Sequence, residues 1–333
     1  MQAAWLSRGW LARVLLPVSW LYGLVIALRA ACYRLGLLRT ERLPVPVLVV
    51  GNLVAGGAGK TPTTIALIQL LRDRGYTPGI ISRGYGRPSD EVAMVHRQLP
   101  ASQSGDEPLL MHLRTNAPVA VGADRVAAGL TLLARHPEVD MLVSDDGLQH
   151  LRLARDAQVI VFDERGAGNG WLLPSGPLRQ PVPRNVPPHS AVLYNADAPS
   201  TALPGHLAQR RLAGFTSLQS WWAGEATSHG VLAALRGRRV LAAAGLARPQ
   251  RFFGMLRATG LDIDELPLPD HHDFATLPWP AGTADVIVTE KDAVKLRPEA
   301  IGTTRVWVAT LDFELSAAFA DALMQQLPPP TRT

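Results

Sequence analysis

The stretch VPVLVVGNLVAGGAGKTP, from Val45 to Pro62, constrains this chain more than any other. An unbroken apolar, β-branched run suits a strand buried on both faces of a parallel sheet. The run stops at a glycine-rich turn, and the pattern IALIQLLRDRG that follows Pro62 reads as a helix. Strand, glycine turn and helix N-terminus together make the setting of a phosphate-binding P-loop. In that reading Gly56, Gly57, Ala58 and Gly59 offer backbone N–H groups to a triphosphate. Lys60 reaches the β/γ oxygens, the Thr61 hydroxyl ligates Mg²⁺ and Pro62 completes the segment. The strict spacing GxxxxGK[ST] would put a glycine where this chain has Val54, so the loop departs from the common pattern at one position.

A length of 333 residues fits one large or two moderate domains with an ample core. One cysteine, Cys32, excludes a disulfide framework and a cysteine metal cluster and is compatible with a reducing compartment. The net charge of +5, carried mostly by arginine, suits an anionic partner: nucleic acid, anionic lipid or a phosphorylated substrate. No nucleic-acid-binding motif is present and aromatics are sparse at 6%, which argues against nucleic acid. The N-terminus favours lipid. Its apolar run from Val14 to Leu28 is short of the roughly 20 residues of a spanning helix, and Arg8, Arg13, Arg29 and Arg34 flank it among tryptophans and tyrosines. Such a segment predicts a helix lying in the headgroup region of an anionic leaflet; a signal peptide and a helix packed on the core are the alternatives.

Along the chain, short apolar runs alternate with helical patterns: Gly79–Ser82, PVAVG, DMLVSDD, AQVIVFDE and SAVLYNAD, then RRVLAAAG, ADVIVTE and TRVWVATLDFEL. This predicts an α/β protein of P-loop NTPase type, with a mostly parallel sheet and helices on both faces. The expected organisation is an N-terminal membrane-associated helix (1–40), a P-loop kinase core (41–219) and a smaller C-terminal α/β domain (220–333). The proline- and glycine-rich stretch from Pro174 to Pro188 reads as an irregular loop, and the terminal PPPTRT as disordered.

Phosphoryl transfer needs a phosphate cradle, Mg²⁺ ligands, positive charge and a base for the attacking hydroxyl. Asp145 and Asp146 end an apolar strand in the Walker B position, as expected of Mg²⁺ ligands. His150 either bonds a carbonyl or is folded back toward the phosphates by the Gly147 turn. Asp106-Glu107 reads either as a cap with a first-turn acid or as a carboxylate facing the nucleotide. In DHHDF, Asp270 to Phe274, a histidine paired with a carboxylate suits acid–base work better than a metal site. Arg83, Arg125 and Arg179 could clamp phosphate oxygens, and Thr289-Glu290-Lys291-Asp292 looks like a base- or ribose-contacting loop.

Taken in order, GNLVAGGAGKTP, SRGYGR, GDEP, GADR, DDGLQH, LPSGPLR, DHHDF and TEKDAVKL resemble the tetraacyldisaccharide 4′-kinases, the membrane-bound lipid A kinases of Gram-negative bacteria. The resemblance runs from the N-terminal helix to about residue 315, and the family shares the departure from a strict P-loop. It implies transfer of the ATP γ-phosphate to the 4′-hydroxyl of a tetraacylated glucosamine disaccharide 1-phosphate, giving lipid IVA, with ATP and Mg²⁺ as cofactors. It implies the cytoplasmic face of the bacterial inner membrane, with no obligate protein partner. By resemblance Asp106 is the base and His271 its partner, alongside Lys60. Glu107 matches a metal-site acid, and Asp145, Asp146 and His150 match the DDGxQH nucleotide/metal motif. Arg83 and Arg125 correspond to arginines near the phosphates. Where the family often reads GPLRE, this chain has Arg179-Gln180, so no ionic or metal role carries over to Gln180. A membrane-anchored P-loop switch ATPase or GTPase, or a kinase of another small or lipid substrate, shares the loop at Lys60, so substitution of Asp106 discriminates better than substitution of Lys60.

Overall fold

The computed structural model of the protein describes residues 5–225, 227 and 229–330. Two N-terminal helices, α1 (Trp10–Val14) and α2 (Leu16–Arg34), precede the sheet. The P-loop half comprises β1 (Val47–Gly51), α3 (Lys60–Asp73), β2 (Pro78–Ser82), β3 (Ala93–Val95), α4 (Ala101–Ser104), α5 (Asp106–Thr115), β4 (Val119–Val121), α6 (Arg125–Arg135), β5 (Met141–Asp145), β6 (Ala157–Asp163) and β7 (Ser190–Asn195). The rest comprises β8 (His206–Ser217), α7 (Leu218–Ala223), α8 (His229–Leu235), β9 (Arg239–Ala244), α9 (Pro249–Ala258), β10 (Asp262–Pro267), β11 (Asp285–Thr289), α10 (Glu290–Ala293), β12 (Arg305–Leu315) and α11 (Ala317–Met324).

These strands form one 12-stranded sheet in the order β10-β9-β11-β12-β8-β7-β6-β1-β5-β2-β4-β3. Its pairings are parallel except β3 with β4 and β8 with β12. β1 is fully buried because it is central and covered on both faces. Its side chains alternate between two core clusters, Leu48 and Val50 in one and Val47 and Val49 in the other. The first cluster takes Leu67, Ile68 and Leu71 of α3, Leu109 of α5 and Phe319 of α11. The second takes Val126, Ala128 and Leu132 of α6, so helices cover both faces. A third cluster packs Phe252, Phe253 and Leu256 of α9 on Val240, Ala242 and Ile287.

β8 joins the two ends of the sheet. It meets β7 over only two pairs, Leu193 with His206 and Tyr194 with Leu207, then runs antiparallel to β12 along its length. In a parallel sheet, ligands sit at the carboxyl ends of strands, and β1, β5 and β2 bring the P-loop, Asp145-Asp146 and the Ser82-Arg83 loop to one such edge.

α2 is the one helix among the described residues that is long and apolar enough to cross a membrane, by length and composition. Its Val18, Trp20, Leu21, Leu24, Val25 and Leu28 are each more than half exposed. The buried Ser19 turns inward, its hydroxyl 3.0 Å from the Leu172 carbonyl and 2.7 Å from the Ser175 hydroxyl. Trp5 donates to the Pro174 carbonyl, and Arg8 lies 5.2 Å over the Trp171 ring. The proline-rich stretch is thus the dock for the N-terminal helices. At the other terminus, Pro328 of the PPPTRT segment is tied down by the Tyr76 hydroxyl at 2.5 Å, contrary to the expected disorder; residues 331–333 lie outside the described residues.

At the start of β11, Asp285 accepts from Arg305 at 2.7 and 2.6 Å, from the Trp307 indole at 3.0 Å and from Arg238 at 2.5 Å. The Arg305 hydrogen bonds hold its carboxyl below the usual range against the opposing effect of burial. Its stabilisation is therefore complete above the unfolded pKa, about 4, and is lost as pH falls through the lower folded value. Asp285→Asn should cost about 1–2 kcal/mol at pH 7. The gap to wild type should begin to narrow as pH falls below about 4 and close only below the lower folded value, as checked by urea unfolding across that range.

Candidate active site

The P-loop closes because Gly59 stands at φ 90°, ψ 24° as the N-cap of α3. A Cβ there would lie 2.3 Å from the Asn195 amide nitrogen, so the position requires glycine by both conformation and space. That same amide donates to the Ala58 carbonyl at 3.2 Å, and Arg165 donates to the Gly57 carbonyl at 3.0 Å. The proline-rich stretch braces the loop from the other side: Ala55 N–H donates to Pro177 and Arg179 N–H to Leu53, both at 2.7 Å. Val54, where the strict motif has glycine, forms a bridge with Leu178 and is 1% exposed. It is a core residue, and the loop makes its turn after it.

Lys60, the first residue of α3, is buried. Its ammonium lies 3.4 Å from the Asn52 side-chain oxygen and 3.7 Å from Asp146. Thr61 beside it is equally buried. Asp146, at φ 48°, is gripped by Arg179 at 2.9 and 3.1 Å. Burial pushes its carboxyl up, but Lys60 and Arg179 prevail and hold it below the usual range. Among the described residues, the Asp145 side chain, at the end of β5, accepts from the Thr64 and Ser82 hydroxyls, at 3.4 and 3.3 Å. Burial, then the charges of Glu107 and Asp146, push it up to about 7 despite Lys60. Two adjacent carboxyl groups thus have opposite environments.

Among the described residues no three His, Cys, Asp or Glu side chains converge as a self-sufficient metal cluster. Mg²⁺ does not ask for one: it takes one or two carboxylates and completes its shell with phosphate and water. The repulsion among Asp145, Glu107 and Asp146 is what a divalent cation would relieve, so the donor set of Thr61, Glu107, Asp145 and Asp146 fits that ion.

Beside these lie Arg125 and His150. Arg125 is buried at the start of α6, bonds the Ala123 carbonyl at 3.0 Å and has no partner for its Nε among the described residues. Burial and the neighbouring Arg83 lower its pKa. Arg83 itself is exposed. Burial and Arg125 hold His150 down to about 4, so its ring is neutral, and its buried Nε2 has no partner among the described residues. An orphaned guanidinium nitrogen and an orphaned imidazole nitrogen beside a P-loop are groups suited to an anionic ligand.

The second half of the site comes from α5. Gly105, at φ 86°, lets the start of this helix approach Gly84 so closely that a Cβ would sit 3.1 Å from the Gly84 Cα. Gly105 is the N-cap, so Asp106 is not the cap but the first helical residue. Asp106 Oδ2 lies 3.1 Å from His271 Nδ1 and 3.6 Å from Lys295 Nζ. Burial would raise the Asp106 pKa, but the His271 hydrogen bond and Lys295 hold it lowered. His271 sits at φ 60°, with the Tyr85 ring centroid 5.8 Å away. In the TEKD segment, Lys291 reaches His271 Nε2 at 3.2 Å and Glu107 at 3.7 Å.

The predicted residues therefore form one connected neighbourhood, with Arg83 at its exposed rim. Sequence reading missed Asn52, Gln149, Arg165, Asn195 and Lys295. The two asparagines carried a usable signal, since each ends or directly follows a buried apolar strand where a polar amide has no packing reason to be. Gln149 donates to Gln180 at 3.2 Å, so the residue that replaces the expected glutamate is a neutral hydrogen-bond acceptor.

The sequence pattern of the tetraacyldisaccharide-1-P 4′-kinases matches residues 11–328. The chain belongs to that family. A "Tetraacyldisaccharide 4′-kinase" of Methylibium petroleiphilum is 56% identical over 331 residues, 98% of this chain and 92% of the relative. One of Leptothrix cholodnii is 56% identical over 333 residues, covering 98% and 95%. The crystal structure of LpxK from Aquifex aeolicus in complex with ATP is 27% identical and superposes with a TM-score of 0.77, covering 96% of this chain and all of that one. The P-loop α/β fold with its apolar N-terminal helix is therefore a fold this chain shares with a solved member of its family.

Within this kinase family member, Gly59→Ala should damage the cradle while sparing the core. The left-handed conformation costs a residue with a Cβ about 1–2 kcal/mol, and the Asn195 contact must break as well. Calorimetric titration with a non-hydrolysable ATP analogue is expected to show an affinity loss of roughly tenfold or more.

Proposed function

We propose that the protein transfers the γ-phosphoryl group of ATP to the 4′-hydroxyl of a tetraacylated glucosamine disaccharide 1-phosphate, giving lipid IVA. The observation that carries this reading is the Asp106–His271 pair, 3.1 Å apart, standing beside the carboxylates of the P-loop edge. A switch NTPase has no use for a carboxylate–imidazole pair there; a kinase needs a base for its acceptor.

The residues divide the work. The P-loop amides and Lys60 hold the triphosphate, with Arg125 and neutral His150 donating to its oxygens. Mg²⁺ held through Thr61, Glu107, Asp145 and Asp146 would supply charge neutralisation at the phosphates. Asp106 accepts the proton of the 4′-hydroxyl as its oxygen bonds the γ-phosphorus. The bond from that phosphorus to the β–γ bridging oxygen breaks, and ADP leaves with the electron pair.

The substrate's acyl chains remain in a bilayer, so the enzyme must come to the surface. The exposed apolar side of α2, with Arg13 and Arg34 near its ends, supports seating of residues 1–40 at the cytoplasmic face of the inner membrane, peripherally or monotopically. We read residues 41–219 as the kinase core and 220–333 as the smaller domain that brings His271 to Asp106. Assembly of the pair between these parts would exclude water and limit ATP hydrolysis. No obligate protein partner is needed for any of these steps.

Incubation with ATP, Mg²⁺ and the disaccharide 1-phosphate is expected to add a second phosphate to the lipid, read by thin-layer chromatography or mass spectrometry. Absence of that product sinks the assignment. Asp106→Ala should lose roughly 10²-fold or more in turnover while ATP binding persists. Unchanged turnover would remove Asp106 as the base. Without lipid, ATPase should be far slower than lipid phosphorylation; comparable rates would count against closure.

A further inference from the structure

We propose that Arg165 is a positioning residue for the phosphate cradle: it pins carbonyl groups of the P-loop outward, so that the amides of the same peptides face the triphosphate. The inference rests on the reading of that loop as the triphosphate site and deepens it. Across a trans peptide the carbonyl of one residue and the N–H of the next point in opposite directions. Whatever holds the carbonyls of a turn on one side therefore presents its N–H groups on the other. Arg165 donates from Nη1 to the Ala55 carbonyl at 3.4 Å and from Nη2 to the Gly57 carbonyl at 3.0 Å. The Asn52 side-chain amide takes the Gly56 carbonyl at 3.1 Å, and that of Asn195 takes the Ala58 carbonyl at 3.2 Å. Each carbonyl from Ala55 to Ala58 is thus held by a side chain at or just beyond the end of β1, β6 or β7. Among the described residues the N–H groups of Gly56, Gly57, Ala58 and Gly59 find no main-chain acceptor, which leaves them for an anion.

Arginine suits this task because its guanidinium is a rigid planar fork with donors along two edges. One edge meets the Asp163 carboxyl group, Nε at 3.1 and 2.9 Å and Nη2 at 2.8 Å. The other edge is left for the loop. Asp163 ends β6 and is 1% exposed, so it is a fixed point from which the fork is aimed. It also accepts the Arg165 N–H at 3.0 Å and Arg248 Nη2 at 2.5 Å. Arg248 is the N-cap of α9, so the group that aims Arg165 is itself clamped from the C-terminal half of the chain. Gly56, at φ 93°, gives the fork room: a Cβ there would lie 3.3 Å from Arg165 Nη1. The guanidinium therefore lies against the carbonyl side of the turn, with Asp163 behind it.

The test is calorimetric titration of the full chain in detergent with two probes, a non-hydrolysable ATP analogue and inorganic tripolyphosphate, which has no base or ribose. Arg165→Ala should weaken both by the same factor, roughly tenfold, while KM for the lipid acceptor moves less than about threefold. Arg165→Lys keeps the charge but cannot bridge Asp163 and two carbonyls, so it should not restore affinity. Asp163→Asn, isosteric, should weaken both probes because the fork loses its anchor. Were Arg165 a direct charge contact, Lys would restore binding, and removing the Asp163 charge would tighten it; either result overturns the proposal. Loss of the ATP analogue alone, with tripolyphosphate unchanged, also overturns it, as the sign of a base or ribose contact. Unchanged affinity in Arg165→Ala, or an equal rise in KM for the lipid, does the same. Asp163→Asn decides even if Arg165→Ala fails to fold. A wild-type chain that bound neither probe would instead remove the triphosphate reading itself.

Discussion

A buried ammonium and a cluster of carboxyl groups share one dry edge of the sheet, and the rest of the molecule is arranged to make that tolerable. Lys60 and Asp145 are nearly inaccessible, and Asp146 is mostly covered. Such charges are stable only when each finds opposite charge or donors. The sheet supplies them from separate elements: Asn52 from the end of β1, Ser82 from β2 and Arg179 from the proline-rich stretch. What they leave uncompensated is informative. Asp145 is the carboxyl whose environment is worst for charge, and it is the position at which an incoming cation gains most.

This arrangement also couples the N-terminal helices to the phosphate cradle. Tyr22 of α2 donates to the Arg179 carbonyl at 2.8 Å, while the Arg179 side chain grips Asp146 and its N–H braces Leu53. Arg29 donates to the Gln149 carbonyl, and the Gln149 amide donates to the Asn52 carbonyl. A helix with an apolar outer face is thus hydrogen-bonded to the backbone that shapes the nucleotide site. The stretch from Pro174 to Pro188 is irregular because it makes these contacts with its main chain, which a regular strand or helix would have used up.

The legible parts of the fold were those where one physical demand dominates. β1, β5, β6, β7, β9 and β11 are buried on both faces and announce themselves as apolar runs. β8 and β10 went unread because each is exposed along much of its length. The adjacent Arg210 and Arg211 break the pattern of β8, and Asp262, Asp264 and Glu265 interrupt β10 at the edge of the sheet. β3 is three residues long and outermost at the other edge, too short for any period to show. The site follows the same rule. Asp145 and Asp146 stand out because charge directly after an apolar run is locally anomalous, Lys60 because it closes a glycine-rich turn, and Asp106 only through the family resemblance. The sequence reads Thr289-Glu290-Lys291-Asp292 as a base- or ribose-contacting loop and does not single out Lys295, because the contacts of both lysines with Asp106, Glu107 and His271 form only in the fold.

That dependence is why the acid–base pair could be named from motifs but its neighbours could not. The order of residues in DHHDF says nothing about which imidazole nitrogen faces which neighbour. Only the pairing of β9, β10 and β11 sets the loop after β10 against the start of α10, with His271 between a carboxylate and an ammonium. The meeting of Asp106, His271 and Lys291 is therefore a property of the tertiary fold, which no single segment of the chain displays.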